Sequence, residues 1–348
     1  MRKIKVFALP AHSFVDRTSG VDYLRVIKPA KFLHGYKDAE VEFEVKVFDH
    51  RIDTSFDWVE VFTTFDVVLF NYTTNDVGFA VMGALAQKYK KKLICDLDDD
   101  LFNILPDNPA REVFHTGSWG LSVVKAVLGA VDHVVCTNEH LKHSIMAHAK
   151  VKGITAIPNY IDLAEYAHRC EFKDRGYYKA IHFGSTTHFH SLLSDQFSKA
   201  MDRIMKEYPN FSFQTVGAFI GEYQKKWGMR YSKGFGSPDI YEWIRMMPQL
   251  MDDADFVLAP LNNNLYNRSK SATKFLETSS YKIPGVWQNI RQYKELVKHG
   301  ENGYLCETEE EWYQAIVSLI SDAKKRKEMG ENAFDSIQSM QDKLHTKE

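Results

Sequence analysis

Four carboxylates stand within five residues in the stretch DLDDD, at Asp96, Asp98, Asp99 and Asp100. The apolar run KLICD leads into them and reads as a strand, so the charges collect at a strand's carboxyl end. Like charges at that density repel, and they persist where a cation, a proton or a sugar hydroxyl answers them. Asp98 and Asp99 are therefore candidates for orienting or deprotonating a substrate hydroxyl, with Asp100 on the same loop. A helix cap is the structural reading of any single member. A second set is mostly cationic. The stretch RSKSATKFLE reads as a helix from Arg268 to Glu277, on which Lys270, Lys274 and Glu277 share one solvent-facing stripe. It follows the apolar DFVLAPL, so Arg268 and Lys270 stand at a strand end with the first free N–H groups, where a diphosphate suits them. Glu277, roughly 10 Å further at about 1.5 Å per residue, suits ribose hydroxyls. A plain surface ion pair between Lys274 and Glu277 is the alternative.

Two turns add backbone chemistry. Gly184 and Ser185 directly follow the strand AIHF, with Thr186 and Thr187 next to cap a helix, and backbone N–H groups at such a turn make an anion site. His188 and His190 are two apart and cannot face one metal from a helix, so no metal site is read there. His188 is a cleft-facing candidate, with capping or packing as its other role. After the first strand, Ser19 and Gly20 precede a helix from Val21, where a small residue lets a ligand approach the positive helix end. No GxGxxG follows a strand and no GxxxxGK[ST] occurs, which removes support for dinucleotide and P-loop binding.

The elements that position these residues alternate throughout. Short β-branched and aromatic runs start at Lys3, Val41, Asp66, Lys92, His133, Ile154, Ala180, Phe211, Met229, Asp255, Ile283 and Gly303, with helical periodicity between most of them. The fold class is α/β: two Rossmann-like domains with parallel sheets facing a central cleft, ligands lying outside the carboxyl ends of the strands. Val41, Phe43, Val45 and Val47 alternate with charges and predict an edge strand. The polar stretch from Asp162 to Lys179 carries the boundary, giving one Rossmann-like domain over 1–170 and a second over 171–348. Trp312, Ala315, Ile316, Leu319 and Ile320 form an apolar helical stripe, and a last helix runs from Lys324 to about Leu344.

The bulk numbers narrow the class. A chain of 348 residues, 44% hydrophobic and 26% charged, is of two-domain globular type. No run approaches the roughly 20 apolar residues of a membrane helix, and the basic start MRKIK leads into a strand rather than a signal peptide. A cytoplasmic protein is expected. The four cysteines are far apart and show no CxxC, so neither zinc nor a disulfide framework is indicated. With 44 basic against 46 acidic residues there is no overall pull toward nucleic acid or anionic lipid, and Lys88–Lys92 and Lys324–Lys327 read as solvated helix ends.

In one order along the chain, Ser19-Gly20, DLDDD, IPNYID, HFGSTTH, DFVLAPL, KSATKFLETSSYKIPGV and VKHGENGYLCETEEEW resemble the nucleotide-sugar-dependent glycosyltransferases of the GT-B type, family 4-like. The resemblance implies a hexosyl- or pentosyltransferase that uses a nucleoside-diphosphate sugar such as a UDP-sugar, is retaining and metal-independent, and has no cofactor. It implies donor contacts from Gly184, Ser185, His188, Arg268, Lys270, Ser271, Lys274 and Glu277. Catalytic roles fall to Asp98, Asp99 and Lys274, with Ser19, Gly20 and Asp100 on the acceptor side. The family's donor helix carries two glutamates; Glu277 matches the second, while Ser269 stands at the first, within a KSxxK pattern that a subset of such enzymes shows. The expected acceptor is a glycan or a modified DNA base, the latter in a phage-type enzyme acting on hydroxymethylated bases. A non-catalytic sugar-nucleotide-binding protein and a nucleotide-sugar epimerase are the competing functions.

Overall fold

Strands buried on both faces need apolar residues at successive positions, and those runs form parallel strands in the computed structural model, which describes residues 1–53, 55–166, 172, 174–184, 189–217, 225–228, 230–232 and 239–346. Backbone contacts divide the chain into two units. The first comprises Met1–Asn159 with Pro238–Tyr241 and Ser269–Ser271; the second comprises Tyr160–Ser237, Glu242–Arg268 and Ala272–Glu348. The expected boundary between 170 and 171 lies outside the described residues, and the units part between Asn159 and Tyr160.

The first unit holds β1 (Arg2–Leu9), β2 (Val41–Val47), β3 (Val67–Asn71), β4 (Lys92–Leu97), β5 (His133–Cys136) and β6 (Ile154–Ala156) in one parallel sheet. Its order is β2-β1-β3-β4-β5-β6, so the alternating strand β2 is an edge. The chain runs from β1 to β2 on one side and then to β3 on the other, which leaves a crevice at the carboxyl ends of β1 and β3. The helix after β1 has an unusual middle. Gly20–Asp22 is capped by Ser19, Tyr23–Ile27 is a π-helical turn, and Lys28–Leu33 continues as α-helix. Pro29 has no N–H to give the Arg25 carbonyl, and Lys28 donates five residues back to Tyr23 instead.

The second unit holds β7 (Tyr178–Phe183), β8 (Phe211–Val216), β9 (Arg230–Ser232), β10 (Phe256–Ala259), β11 (Gly285–Gln288) and β12 (Tyr304–Cys306), ordered β12-β11-β10-β7-β8-β9 and again all parallel. Its switch point falls between β7 and β10. Gly217, at φ +88°, closes the end of β8 against β7, where a Cβ would stand 2.2 Å from the Gly184 carbonyl oxygen. Trp312, Ala315, Ile316, Leu319 and Ile320 bury their stripe from helix Glu309–Ser321, and the last helix runs Ala323–Thr346. Cys95, Cys136 and Cys306 are buried free thiols. No helix among the described residues is long and apolar enough to cross a membrane.

Candidate active site

The carboxylate cluster after β4 is answered mostly by the protein itself. Asp96 is buried in a forked pair with Arg25, Nη2 to Oδ2 at 2.8 Å and Nε 3.1 Å from each oxygen. Nη1 of the same guanidinium donates to the Ile157 carbonyl at 2.7 Å and to Asn159 Oδ1 at 2.9 Å. Arg25 belongs to the π-helical turn, so Pro29 shapes the segment that carries the cluster's main counter-charge. Asp100 is also buried, accepting from Asn103 Nδ2 and Ser144 Oγ at 2.9 Å each, from Ser269 Oγ at 3.1 Å and from the Phe102 amide at 3.2 Å. It holds its loop in place. Asp98 and Asp99 remain half-buried beyond them. Burial first, then the carboxylates of Asp99 and Asp96, push the Asp98 carboxyl up to about 8, against the pull of Arg25 and Lys270. Asp99 stands 3.3 Å from Lys270 Nζ.

That last contact revises the helix expected over Arg268–Glu277. The segment is two helices, Leu265–Arg268 and Thr273–Ser280, and Lys270 is on neither. Ser269–Ser271 groups with the first unit. Asn138 Nδ2 donates to the Ser269 carbonyl at 2.6 Å, Asn159 Nδ2 donates to Ser271 Oγ at 2.9 Å, and Ser269 Oγ bonds Asp100. These bonds tie Ser269–Ser271 to the first unit, and Asn138 takes the Ser269 carbonyl that a continuous helix would have used. In the same unit, Ser19 caps Gly20–Asp22 by accepting from the Val21 amide at 3.2 Å. Asp22 is buried behind it, accepting from Ser13 Oγ at 2.6 Å and the His12 amide at 2.9 Å.

In the second unit, Gly184 ends β7 at the switch point. Lys274 Nζ lies 6.0 Å from the centre of the Phe183 ring. Glu277, one turn on, is 6% exposed rather than wet, and its Oε1 accepts from Trp243 Nε1 at 2.9 Å. Burial pushes its carboxyl up to about 7, opposed by Trp243, Lys274 and Tyr166. The solvent-facing stripe is thus overturned: the face of Thr273–Ser280 that bears Glu277 packs inward. His182, in the middle of the unit, gives or takes one hydrogen bond at 2.9 Å with the Leu258 carbonyl, and burial with nearby Lys274 pushes it down to about 3. Arg268 is exposed, with Nε on Asn263 Oδ1 at 2.7 Å. Ser185 and His188 lie outside the described residues. Among the described residues no three His, Cys, Asp or Glu side chains are grouped as metal ligands would be.

Residues 180–322 match the family model Glycosyl transferases group 1. The match covers less than half of the chain, so it is a likeness of this stretch to that family. Within it fall Gly184, Arg268, Lys270, Ser271, Lys274 and Glu277, whereas Ser19, Gly20 and Asp98–Asp100 precede it. Solved structures extend the likeness beyond that stretch. HepE from Anabaena, in complex with UDP-glucose, has a TM-score of 0.60 and 14% identity over 99% of this chain and 100% of its own. Sucrose-phosphate synthase from Thermosynechococcus elongatus has a TM-score of 0.60 and 11% identity over 100% of this chain and 99% of its own. S. aureus TarM has a TM-score of 0.57 and 14% identity over 80% of this chain, which spans only 54% of TarM. At such identities the likeness is one of fold, and that fold is GT-B. No curated protein sequence matches the chain.

Sequence reasoning missed Arg25, Trp243, Asn138 and Asn159. Asn138 sits where a cap is expected before Glu139–His148 and Asn159 lies in IPNYID, so those two left a signal. An arginine and a tryptophan inside amphipathic helices left none.

Proposed function

We propose that the protein is a glycosyltransferase that moves a sugar from a UDP-sugar to an acceptor hydroxyl. The observation that carries this reading is the group 1 match, with Lys274 and buried Glu277 one turn apart in it. The relative HepE, in complex with UDP-glucose, supports UDP as the carrier. In this reading the leaving diphosphate gains negative charge as the glycosidic bond breaks. Lys274 and Arg268 supply positive potential, and no step needs a metal. Glu277, fixed by Trp243, accepts hydrogen bonds from the ribose. On the acceptor side, Asp98 keeps its proton near neutral pH and orients the attacking hydroxyl as a donor, while Asp99 beside Lys270 takes that hydroxyl's proton. The sugar is transferred with retention.

Thermal unfolding with UDP, GDP, ADP, TDP and CDP tests the donor half. UDP at 100 times its Kd stabilises by about 2.7 kcal/mol, and Glu277→Ala is expected to lose that shift. No shift with any nucleotide would reduce the reading to a likeness of fold. Ser269, buried against Asp100 where the family carries a glutamate, favours a second reading, a sugar-nucleotide-binding protein without transfer. UDP released from UDP-glucose only when an acceptor is present dismisses it.

A further inference from the structure

Glu277 is buried among groups that decide whether it carries a proton. Within the second unit, Trp243 Nε1 donates to its Oε1 at 2.9 Å, the Tyr166 hydroxyl donates to the same carboxyl, and Lys274 stands one turn before it. Rings hold both donors in place. Trp243 lies against Phe183 with 5.4 Å between ring centres, Lys274 Nζ is 6.0 Å from the Phe183 ring centre, and Tyr166 meets Tyr281 edge-on at 6.3 Å. Phe183 ends β7, so the half-buried indole ties Glu277 to the strand end at the switch point.

An ionised carboxyl accepts at two oxygens with about four lone-pair sites; Trp243 and Tyr166 fill two, which leaves about two for the neighbouring hydroxyls of a ribose. A proton on the carboxyl takes one of these places and sets a competing donor there. Burial favours that proton, while the indole and phenol favour its loss, because both donate to the charged form. His182, beside Phe183, titrates well below this range, pushed down to about 3 by burial and Lys274.

We infer that nucleotide binding at this site is linked to loss of the Glu277 proton, and that Trp243 is the positioning residue that presents the ionised carboxylate to the ribose. The inference rests on the donor reading. Its test is calorimetry on the intact protein with UDP-glucose, whose esterified diphosphate does not titrate near neutrality. With the Glu277 carboxyl at about 7, its ionised fraction grows about tenfold from pH 6 to pH 8, so affinity is expected to rise about tenfold, with a proton released to the buffer at pH 6. Trp243→Phe keeps a ring on Phe183 and loses the N–H, so it should bind several-fold more weakly at pH 6 and pH 7 and recover by pH 9. Tyr166→Phe should act in the same direction, and Glu277→Gln should bind weakly and equally at every pH. An affinity that is flat from pH 6 to pH 8, no proton release, or a Trp243→Phe loss that is equal at every pH, as a purely structural indole would give, overturns the inference and leaves the donor reading intact. No binding of UDP-glucose at any pH removes both.

Discussion

Glu277 and Asp98 each hold a proton that a free carboxyl would have released, and both make stability fall as pH rises. For Glu277 the folded carboxyl is raised to about 7 from an ordinary 4.5. Between those values the folded state binds a proton that the unfolded chain gives up, so the stabilisation is full below 4.5 and lost on passing 7, on the order of 3 kcal/mol in all. Asp98 extends the decline to about 8. Urea unfolding at pH 5 and pH 8 should show wild type losing more stability than Glu277→Gln, and equal losses would mean that Glu277 ionises normally. Arg25 belongs to the same scale. Removing it leaves Asp96 buried and uncompensated, so Arg25→Met is expected to cost about 3–5 kcal/mol in the same assay, and Arg25→Lys, which lacks the fork, to recover only part.

The decisive element is the break between Leu265–Arg268 and Thr273–Ser280. Ser269 fits there because its hydroxyl donates to Asp100, a carboxylate already receiving three other donors. The glutamate that the family places at this position would meet that carboxylate head-on. Ser269→Glu should therefore lower Tm by several degrees, about 1–3 kcal/mol, and Asp100→Ser should restore most of it. Additive losses in the double variant would separate the two residues energetically. Helix Thr273–Ser280 is positioned from behind by Ala323–Thr346, where Gly330 is so close that a Cβ would stand 1.9 Å from the Lys282 carbonyl oxygen. Gly330→Ala should push the helices apart at a cost of about 1–3 kcal/mol and, by shifting Lys274 and Glu277, weaken UDP binding.

For the whole molecule, 44 basic against 46 acidic residues leave a formal charge of −2. Without net positive charge there is little counterion release to gain from DNA. Electrophoretic mobility of duplex DNA at about 0.15 M salt, a Debye length of about 8 Å, is expected to be unchanged by the protein. A salt-sensitive shift would favour a DNA acceptor. GT-B likeness extends over the full length of HepE and about half of TarM, so the chain's own acceptor chemistry must be read from its first unit rather than carried over.

What the sequence by itself determined follows from short-range periodicity. Parallel strands buried on both faces must be apolar at successive positions, so each run from β1 to β12 was legible, as were the edge position of β2 and the stripe of Glu309–Ser321. Lys274 and Glu277 were legible for the same reason, being one turn apart on a real helix. Only the tertiary structure decided that Lys270 leaves that helix for Asp99, that Glu277 is buried on Trp243, and that Arg25 rather than a ligand neutralises Asp96. Each of these joins residues separated by tens to hundreds of positions. Local spacing sets which face a residue occupies on its own element, but the partner that meets that face is chosen by the packing of the whole unit.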